Sequence, residues 1–301
     1  MRLFHKAMRE PFLLRDKTPI IAAGTIAACI ALTSGNYADA RENFDDWDPN
    51  VPVALDDANQ KRLPLPGFKK FTSLFDDLSK PVRANPKDVR YLLERASWLM
   101  GYGLYEEAIL DLKKAQKYAR KGDEGVAIRL AQCHFCLQDY QQTLWLARQV
   151  LARNPRNASG LAVKALGLIE NPDRALSECD KAIKINDKTG WFYLARAKIN
   201  QYNNQNWSQS LKDSNRALQL SPNSLPARLS RARAYLNLKN YKAAIDDCNT
   251  IIGAEPMYFD AYKVRSKAYA KSGKKQLSTV DRYLYKTCLK RMKQVVKENQ
   301  S

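Results

Sequence analysis

The stretch YEEAILDLKKA, which begins at Tyr105, decides the fold because related stretches recur along the chain. The other copies are YQQTLWLARQV from Tyr140, DRALSECDKAI from Asp173, WSQSLKDSNRA from Trp207, YKAAIDDCNTI from Tyr241 and KQLSTVDRYLY from Lys275. The small residues that anchor the copies are Ala108, Thr143, Ala175, Ser210, Ala244 and Ser278. Their spacings are 35, 32, 35, 34 and 34 residues. A nearly fixed period in this range predicts a solenoid of stacked units.

Within each copy, the apolar residues follow a helical period. Tyr105, Ala108, Ile109, Leu112 and Ala115 recur at spacings of three and four, which places them on one face of a helix. One helix pair cannot bury such a face alone, so neighbouring pairs stack and share a continuous core. No stretch alternates apolar and polar residues long enough to predict a sheet. The sequence therefore predicts an all-α fold.

The repeat resembles the tetratricopeptide repeat, a helix–turn–helix of about 34 residues. A small residue recurs in the first helix of most copies, at Ala96, Ala131, Ala165, Ala197 and Ala232. An aromatic opens the second helix and a proline ends the copy, at Tyr105, Tyr140, Trp207 and Tyr241 and at Pro155, Pro222 and Pro256. The third copy is shorter and has Pro172 where the aromatic belongs. The resemblance implies a right-handed α-solenoid of about six repeats over residues 85–276, followed by a capping helix over 277–301.

Residues 1–40 have the organisation of a secretory signal. A basic start precedes an apolar run, Pro19–Leu32, and Ala38-Asp39-Ala40 fits a cleavage pattern of small residues. The run is shorter than the roughly 18–20 residues that a membrane-spanning helix needs. We expect cleavage after Ala40. The alternatives are an uncleaved N-terminal anchor, a lipid on Cys29, and a buried helix or transit peptide. The leading readings predict a protein that is exported or anchored to a membrane.

Residues 41–84 are interpreted as a tether, because prolines and a glycine interrupt them and argue against a long helix. Near its end, Phe71, Leu74, Phe75 and Leu78 fit the helical period. This spacing predicts one short amphipathic helix that packs as a cap on the open end of the first repeat. The alternative is a partner-binding helix.

The net charge of +19 is concentrated toward the C-terminal end. Such a field attracts anionic partners but does not determine the fold. In the final helix an apolar stripe, Leu277 to Val295, is flanked by basic residues, and this pattern predicts a basic amphipathic cap. The lysines expected to touch anionic lipid headgroups or an acidic partner are Lys286, Lys290, Lys293 and Lys297.

By the family resemblance, the first helices line a concave surface that binds peptides. Matched positions include Arg129, Gln132, Phe135, Lys198, Tyr202, Arg233, Lys263 and Lys267. The family's set for gripping a terminal carboxylate is not assembled, because Leu93 and Ser97 occupy two of its places. The remaining basic and aromatic groove suits an acidic segment. The alternative is that these side chains are ordinary solvated residues.

Catalysis, metal binding and cofactors are not indicated. Cys133-His134-Phe135-Cys136 lacks the second pair of ligands that a structural zinc site needs, and the other histidine, His5, lies in the signal. The sequence therefore favours a non-enzymatic scaffold that binds a protein or peptide partner. The alternatives are an accessory subunit of an enzyme complex and a nucleic-acid binder, since basic helical repeats can read RNA. A secretory start argues against nucleic acid, because it would separate the protein from cellular RNA.

Overall fold

The computed structural model describes residues 65, 67–120, 122–202 and 206–300, with the side chain of residue 300 left aside. All of them belong to one compact unit. The expected signal, its cleavage after Ala40, a lipid on Cys29 and most of the tether lie outside the described residues.

The described residues form thirteen helices and no strand, which confirms the all-α prediction. The helices are α1 Phe68–Ala84, α2 Val89–Gly101, α3 Tyr105–Tyr118, α4 Glu124–Cys136, α5 Tyr140–Arg153, α6 Ala158–Gly167, α7 Pro172–Ile185, α8 Gly190–Tyr202, α9 Trp207–Leu220, α10 Leu225–Asn237, α11 Tyr241–Ala254, α12 Phe259–Lys271 and α13 Lys275–Gln300. From α2 onward each consecutive pair forms one repeat. Repeat 1 is α2 with α3, and repeat 6 is α12 with α13.

Polar caps and left-handed turns fix where these helices begin and end. Asp88, for example, accepts a hydrogen bond from the backbone N–H of Arg90 at the start of α2. In the turns within repeats, Gly103 and Gly273 have φ values of 74° and 84°. In the third copy Pro172 occupies the first turn of α7, where its missing N–H leaves no helical bond unmade. The copy therefore keeps its second helix without the aromatic.

Small residues allow the helices to approach closely. Ala96 in α2 and Ala108 in α3 are completely buried, and so are their counterparts Ala131 and Ala244 in later repeats. Each helix packs against its neighbour in the sequence, and first helices of neighbouring repeats from α4 to α12 also contact each other. This pairing produces the continuous shared core that the repeat period predicts.

A buried or partly buried ion pair joins the two helices of most repeats. In repeat 1, Arg95 donates to both carboxylate oxygens of Asp111 at 2.7 Å. The same geometry recurs in Arg196–Asp213, Arg231–Asp247 and Arg265–Asp281. A bidentate pair of this kind fixes the relative position of two helices. We call these four pairs the arginine ladder.

Each ladder arginine also reaches the second helix of the preceding unit. Its partners there are Ser79 for Arg95, Asp180 for Arg196, Asn215 for Arg231 and Asn249 for Arg265. One side chain thus connects three consecutive helices. Because the guanidinium offers five donors in a rigid plane, it can satisfy both sides at once.

Repeats 2 and 3 fill the ladder position differently. In repeat 2 the equivalent residues are Leu130 and Leu146, and both are buried. In repeat 3, Lys164 donates to Glu178 at 3.1 Å. The two ladder positions of a repeat therefore match each other: both are charged in repeat 3, and both are apolar in repeat 2.

The two ends of the described array meet. Phe71 and Phe75 of α1 pack against the ring of Trp98 in α2, at centroid distances of 4.8 and 5.6 Å. The same apolar cluster contains Met292 and Val296 of α13, both completely buried. The first repeat is therefore not an open end, because α13 covers it together with α1.

Polar contacts between distant residues border this joint. Glu255 accepts hydrogen bonds from Lys70 at 3.1 Å and from the hydroxyl of Tyr102 at 2.9 Å. Lys293 donates to Glu106 at 2.8 Å. We call the contact between repeats 1 and 6, including α1, the closing joint.

Both terminal helices differ in length from the sequence-based expectation. Helix α1 has 17 residues and continues through Pro81, so it is longer than one short helix. Helix α13 begins at Lys275 because its first half is the second helix of repeat 6. Its apolar stripe ends on Val296, which is fully buried, whereas Val295 is only half-buried.

Candidate protein-binding surface

The first helices form the inner side of the array. First helices of neighbouring repeats contact each other, as α4 does with α6 and α8 with α10. The first helices are therefore spaced more closely than the second helices are. A curved stack of helix pairs has its more closely spaced helices on the concave side. We call this side the inner surface.

Aromatic and basic side chains cluster on the inner surface where α4, α5 and α8 meet. The ring of Tyr140 lies 6.0 Å from Phe135 and 5.9 Å from Tyr202, between ring centroids. The ammonium of Lys198 lies 5.5 Å from the centre of the Phe135 ring, a cation–π arrangement. Three residues predicted for the groove, Phe135, Lys198 and Tyr202, are thus brought together.

Within this cluster Tyr140 is held by its neighbours, whereas Tyr202 is accessible to solvent. Burial raises the pKa of Tyr140, and its hydrogen bond with Tyr202 raises that pKa further. The side chain of Tyr202 is 51% exposed, which is unusual for a large aromatic residue. An exposed aromatic beside a lysine offers both apolar contact and charge to a bound segment.

The other predicted groove residues do not join this cluster. Arg129 donates to the backbone carbonyl of Gly125 at 3.1 Å, and Gln132 is half-buried elsewhere on α4. Arg233 pairs with Asp260 at 3.4 Å. Two further predicted lysines, Lys263 and Lys267, lie exposed on α12. The ammonium of Lys263 lies over the Tyr285 ring.

A second group of residues links the two ends across the inner surface. The hydroxyl of Tyr105 in α3 lies close to the thiol of Cys136 at the end of α4 and to Tyr258 and Asp260 at the start of α12. Burial raises the pKa of Tyr105 well above its usual value, and Cys136 adds to this shift. The last repeat therefore reaches the first two repeats here and occupies this part of the inner surface.

The lysines predicted to touch an anionic surface lie along one side of α13. Lys286, Lys290 and Lys297 are exposed. Lys293 is used within the molecule, because its hydrogen bond to Glu106 holds it against α3 and raises the pKa of the lysine.

The residues of the Cys-His-Phe-Cys stretch point to different neighbours. Cys133 is buried in the core, Cys136 contacts Tyr105, and Nδ1 of His134 lies 3.0 Å from Oδ2 of Asp139. Within the described ranges, no group of three or more His, Cys, Asp or Glu residues could hold a metal ion.

The buried cysteines are poor nucleophiles. Burial raises the pKa of the Cys248 and Cys288 thiols to about 12, so the reactive thiolate is scarce at neutral pH. Among the described residues, no helix has the length and apolarity needed to cross a bilayer.

Sequence reasoning missed Tyr140, Tyr258 and Asp260 as parts of the inner surface. Tyr140 was assigned only to the aromatic position of the repeat, although Phe135 lies five residues before it. Tyr258 and Asp260 lie at the start of α12, and only the closing joint brings them near Tyr105. No local sequence signal reports that contact.

Comparison with known proteins supports the fold. No protein-family model matches the chain. The Hsp70-Hsp90 organizing protein 1 of Glycine max is 23% identical over 208 residues, which cover 63% of this chain and 34% of that protein. The match thus spans about a third of the relative's length.

Two solved structures show the same architecture. A thermophilic TPR protein from Thermus thermophilus aligns over 61% of this chain and 100% of its own, with 19% identity and a TM-score of 0.50. The APC/C hetero-tetramer Cut9–Hcn1 aligns over 81% of this chain and 48% of its own, with 13% identity and a TM-score of 0.52. The described residues therefore adopt the fold predicted from the sequence, an α-solenoid of tetratricopeptide-type repeats.

Proposed function

We propose that this protein is a non-enzymatic scaffold that binds an acidic segment of a partner protein on its inner surface. Helical-repeat arrays commonly use their concave side in this way. The observation that carries the proposal is the cluster of Phe135, Tyr140, Lys198 and Tyr202, which presents an exposed aromatic ring next to a lysine.

The acidic character of the partner follows from the charges around the cluster. Arg129 lies on the inner helix α4 and Lys198 on the inner helix α8, with α6 between them, and Lys263 and Lys267 lie exposed on α12. An acidic segment that crosses these positions would gain charge-assisted contacts, while its apolar residues would pack on Tyr202. We further propose that residues 1–40 export the protein or anchor it to a membrane, since their sequence has the order of a signal.

A peptide-binding measurement with the full-length protein tests the proposal. A library of fluorescent peptides, graded from acidic to basic and each containing one aromatic residue, is titrated with the protein, and anisotropy is recorded. We expect acidic peptides to bind, and we expect Lys198→Glu combined with Tyr202→Ala to weaken binding at least tenfold. The physical reason is that this variant removes both the cation and the exposed ring.

A matched control carries Lys117→Glu with Tyr118→Ala, which changes an exposed lysine and an exposed tyrosine that contact each other on the second helix α3. This control should leave the dissociation constant within a factor of two. Equal weakening by both variants would contradict a site on the inner surface. Preference for basic peptides would contradict the acidic partner.

A further inference from the structure

The outer side of repeats 1 and 2 exposes large apolar residues at equivalent positions. Leu110 in α3 and Trp145 in α5 each lie two residues after the anchor of their copy, and each is 51% exposed. Solitary exposed leucines are common on protein surfaces, but an exposed tryptophan at the matching position of the next repeat puts two large apolar side chains on the same side of the array. Both lie on the second helices, away from the inner surface.

Basic residues surround both apolar side chains on the same helix faces. Lys113, Lys114 and Lys117 follow Leu110 by three, four and seven residues, and Arg148 follows Trp145 by three. Residues at these spacings are neighbours on a helix surface, and all four are exposed. We call Leu110, Trp145 and these four cations the outer patch.

The outer patch lies on two stretches of the chain that are poor in acidic residues. The sequence contains no Asp or Glu over 112–122 and none over 140–169. Of the three acidic residues of α3, Asp111 is buried against Arg95, Glu106 is paired with Lys293, and Glu107 lies half-buried three residues before Leu110. The exposed charge around the two apolar side chains is therefore mainly positive.

The closing joint extends this basic surface to α13. Glu106 lies one helical turn before Leu110, and it holds Lys293 at 2.8 Å. Lys290 and Lys297 lie three residues before and four residues after Lys293, on the same side of α13, and both are exposed. Two regions nearly 190 residues apart in sequence thus form one basic face, because the Lys293–Glu106 pair spans 187 positions.

We propose that the outer patch docks the protein on an anionic lipid bilayer, with Trp145 and Leu110 inserted at the headgroup level and the lysines and arginine against the lipid charges. Tryptophan favours the interface between headgroups and acyl chains, and each basic residue near an anionic leaflet adds attraction. A second copy of this chain is a poor occupant, because two such patches repel each other. Nucleic acid would satisfy the charges but would leave the aliphatic Leu110 without an apolar partner.

The test uses the full-length protein and fluorescence quenching by lipids with brominated acyl chains. Vesicles contain either phosphatidylcholine alone or phosphatidylcholine with phosphatidylglycerol. The contribution of Trp145 is the difference between the unmodified protein and the Trp145→Phe variant. This readout reports the position of one side chain, so membrane attachment through residues 1–40 cannot mimic it.

We expect quenching of Trp145 on the vesicles with phosphatidylglycerol and not on phosphatidylcholine alone. The triple variant Lys113→Glu, Lys117→Glu and Arg148→Glu should raise the lipid concentration needed for half-maximal quenching about 100-fold. The matched control reverses the same number of charges at Lys212, Arg216 and Lys242, on second helices of later repeats. It should shift that concentration less than threefold.

Three results would overturn the proposal. They are the absence of Trp145 quenching on anionic vesicles, quenching that does not depend on lipid charge, and equal effects of the two triple variants. RNA binding that is lost only in the outer-patch variant, without Trp145 quenching by lipid, would assign the patch to nucleic acid instead. Peptide binding on the inner surface is measured separately, so either proposal can fail without the other.

Discussion

Interfaces between neighbouring helices and the closing joint are built in opposite ways. Between neighbouring helices, a charged pair lies at the centre: the side chains of Arg265 in α12 and Asp281 in α13 are 2% and 0% exposed. At the closing joint the centre is apolar, with Met292 and Val296 fully buried, and the ion pairs lie at the border. A buried pair demands one geometry, whereas an apolar contact tolerates several. We infer that the ladder sets the register of neighbours and that burial closes the array.

The largest expected effect is the loss of one partner in the ladder. Arg265→Leu leaves the carboxylate of Asp281 buried without its bidentate donor, and we expect the free energy of unfolding to fall by about 3–5 kcal/mol. Urea unfolding followed by circular dichroism measures the loss.

The double variant Arg265→Leu with Asp281→Leu sharpens this test. It copies the apolar solution of repeat 2, Leu130 with Leu146, and should recover most of the lost stability, because no charge remains buried. A double variant as unstable as the single one would show that the two ladder charges do more for stability than neutralise each other.

The second prediction concerns the apolar centre of the closing joint. Met292→Ala removes a completely buried side chain and should destabilise the protein by about 3 kcal/mol. The exposed neighbour Lys290 provides the control, and Lys290→Ala should change stability by less than about 0.5 kcal/mol. If both variants were equally mild in thermal unfolding, α13 would not be packed against the first repeat.

The third prediction concerns the polar border of the joint. Tyr102→Phe removes the hydrogen bond to Glu255 and should cost about 1–2 kcal/mol, because the acceptor is charged and partly buried. Lys70 still pairs with Glu255, so the loss should stay below that of Met292→Ala. Denaturant unfolding of the two variants in the same buffer makes the comparison, and the reverse order would contradict an apolar centre.

The smallest effect is expected at the exposed ion pair. Lys293→Ala breaks the contact with Glu106, but both side chains are largely solvated, at 46% and 63% exposure. We expect a loss of less than about 0.5 kcal/mol, which salt should reduce further. Unfolding at low and high ionic strength checks this, and a loss above about 1 kcal/mol would place the pair in the structural centre of the joint.

The repeat period and the helical spacing of apolar residues were enough to predict the helices, because each copy contains the same local pattern. The proline at the start of α7 shows the limit of matching single positions. Pro172 departs from the aromatic pattern, yet proline is well suited to the first turn of a helix, so α7 still forms at this position.

The arginine ladder was visible in the sequence but was not recognised. Arg95, Arg231 and Arg265 each precede an aspartate by 16 residues, as the hydrogen bonds show. An arginine in one helix and an aspartate in the next look like ordinary surface charges when each helix is considered separately. Their burial becomes apparent only when the two helices are packed together.

The closing joint could not be predicted, because curvature accumulates from small rotations between repeats. Consequently, the contacts of Tyr258 and Asp260 on the inner surface were missed as well. Phe135, Lys198 and Tyr202 were predicted from the family resemblance and do lie together. Their role in binding stays a prediction.

Zero-length cross-linking with a carbodiimide tests the closing joint most directly, because this reagent joins only amines and carboxylates that already touch. On the joint, Lys70 lies 3.1 Å from Glu255, and Lys293 lies 2.8 Å from Glu106. Mass spectrometry of the monomeric fraction should identify amide bonds at both pairs, alongside local ones such as Lys80–Asp76. Local cross-links without either joint-spanning bond would show an array whose ends do not meet.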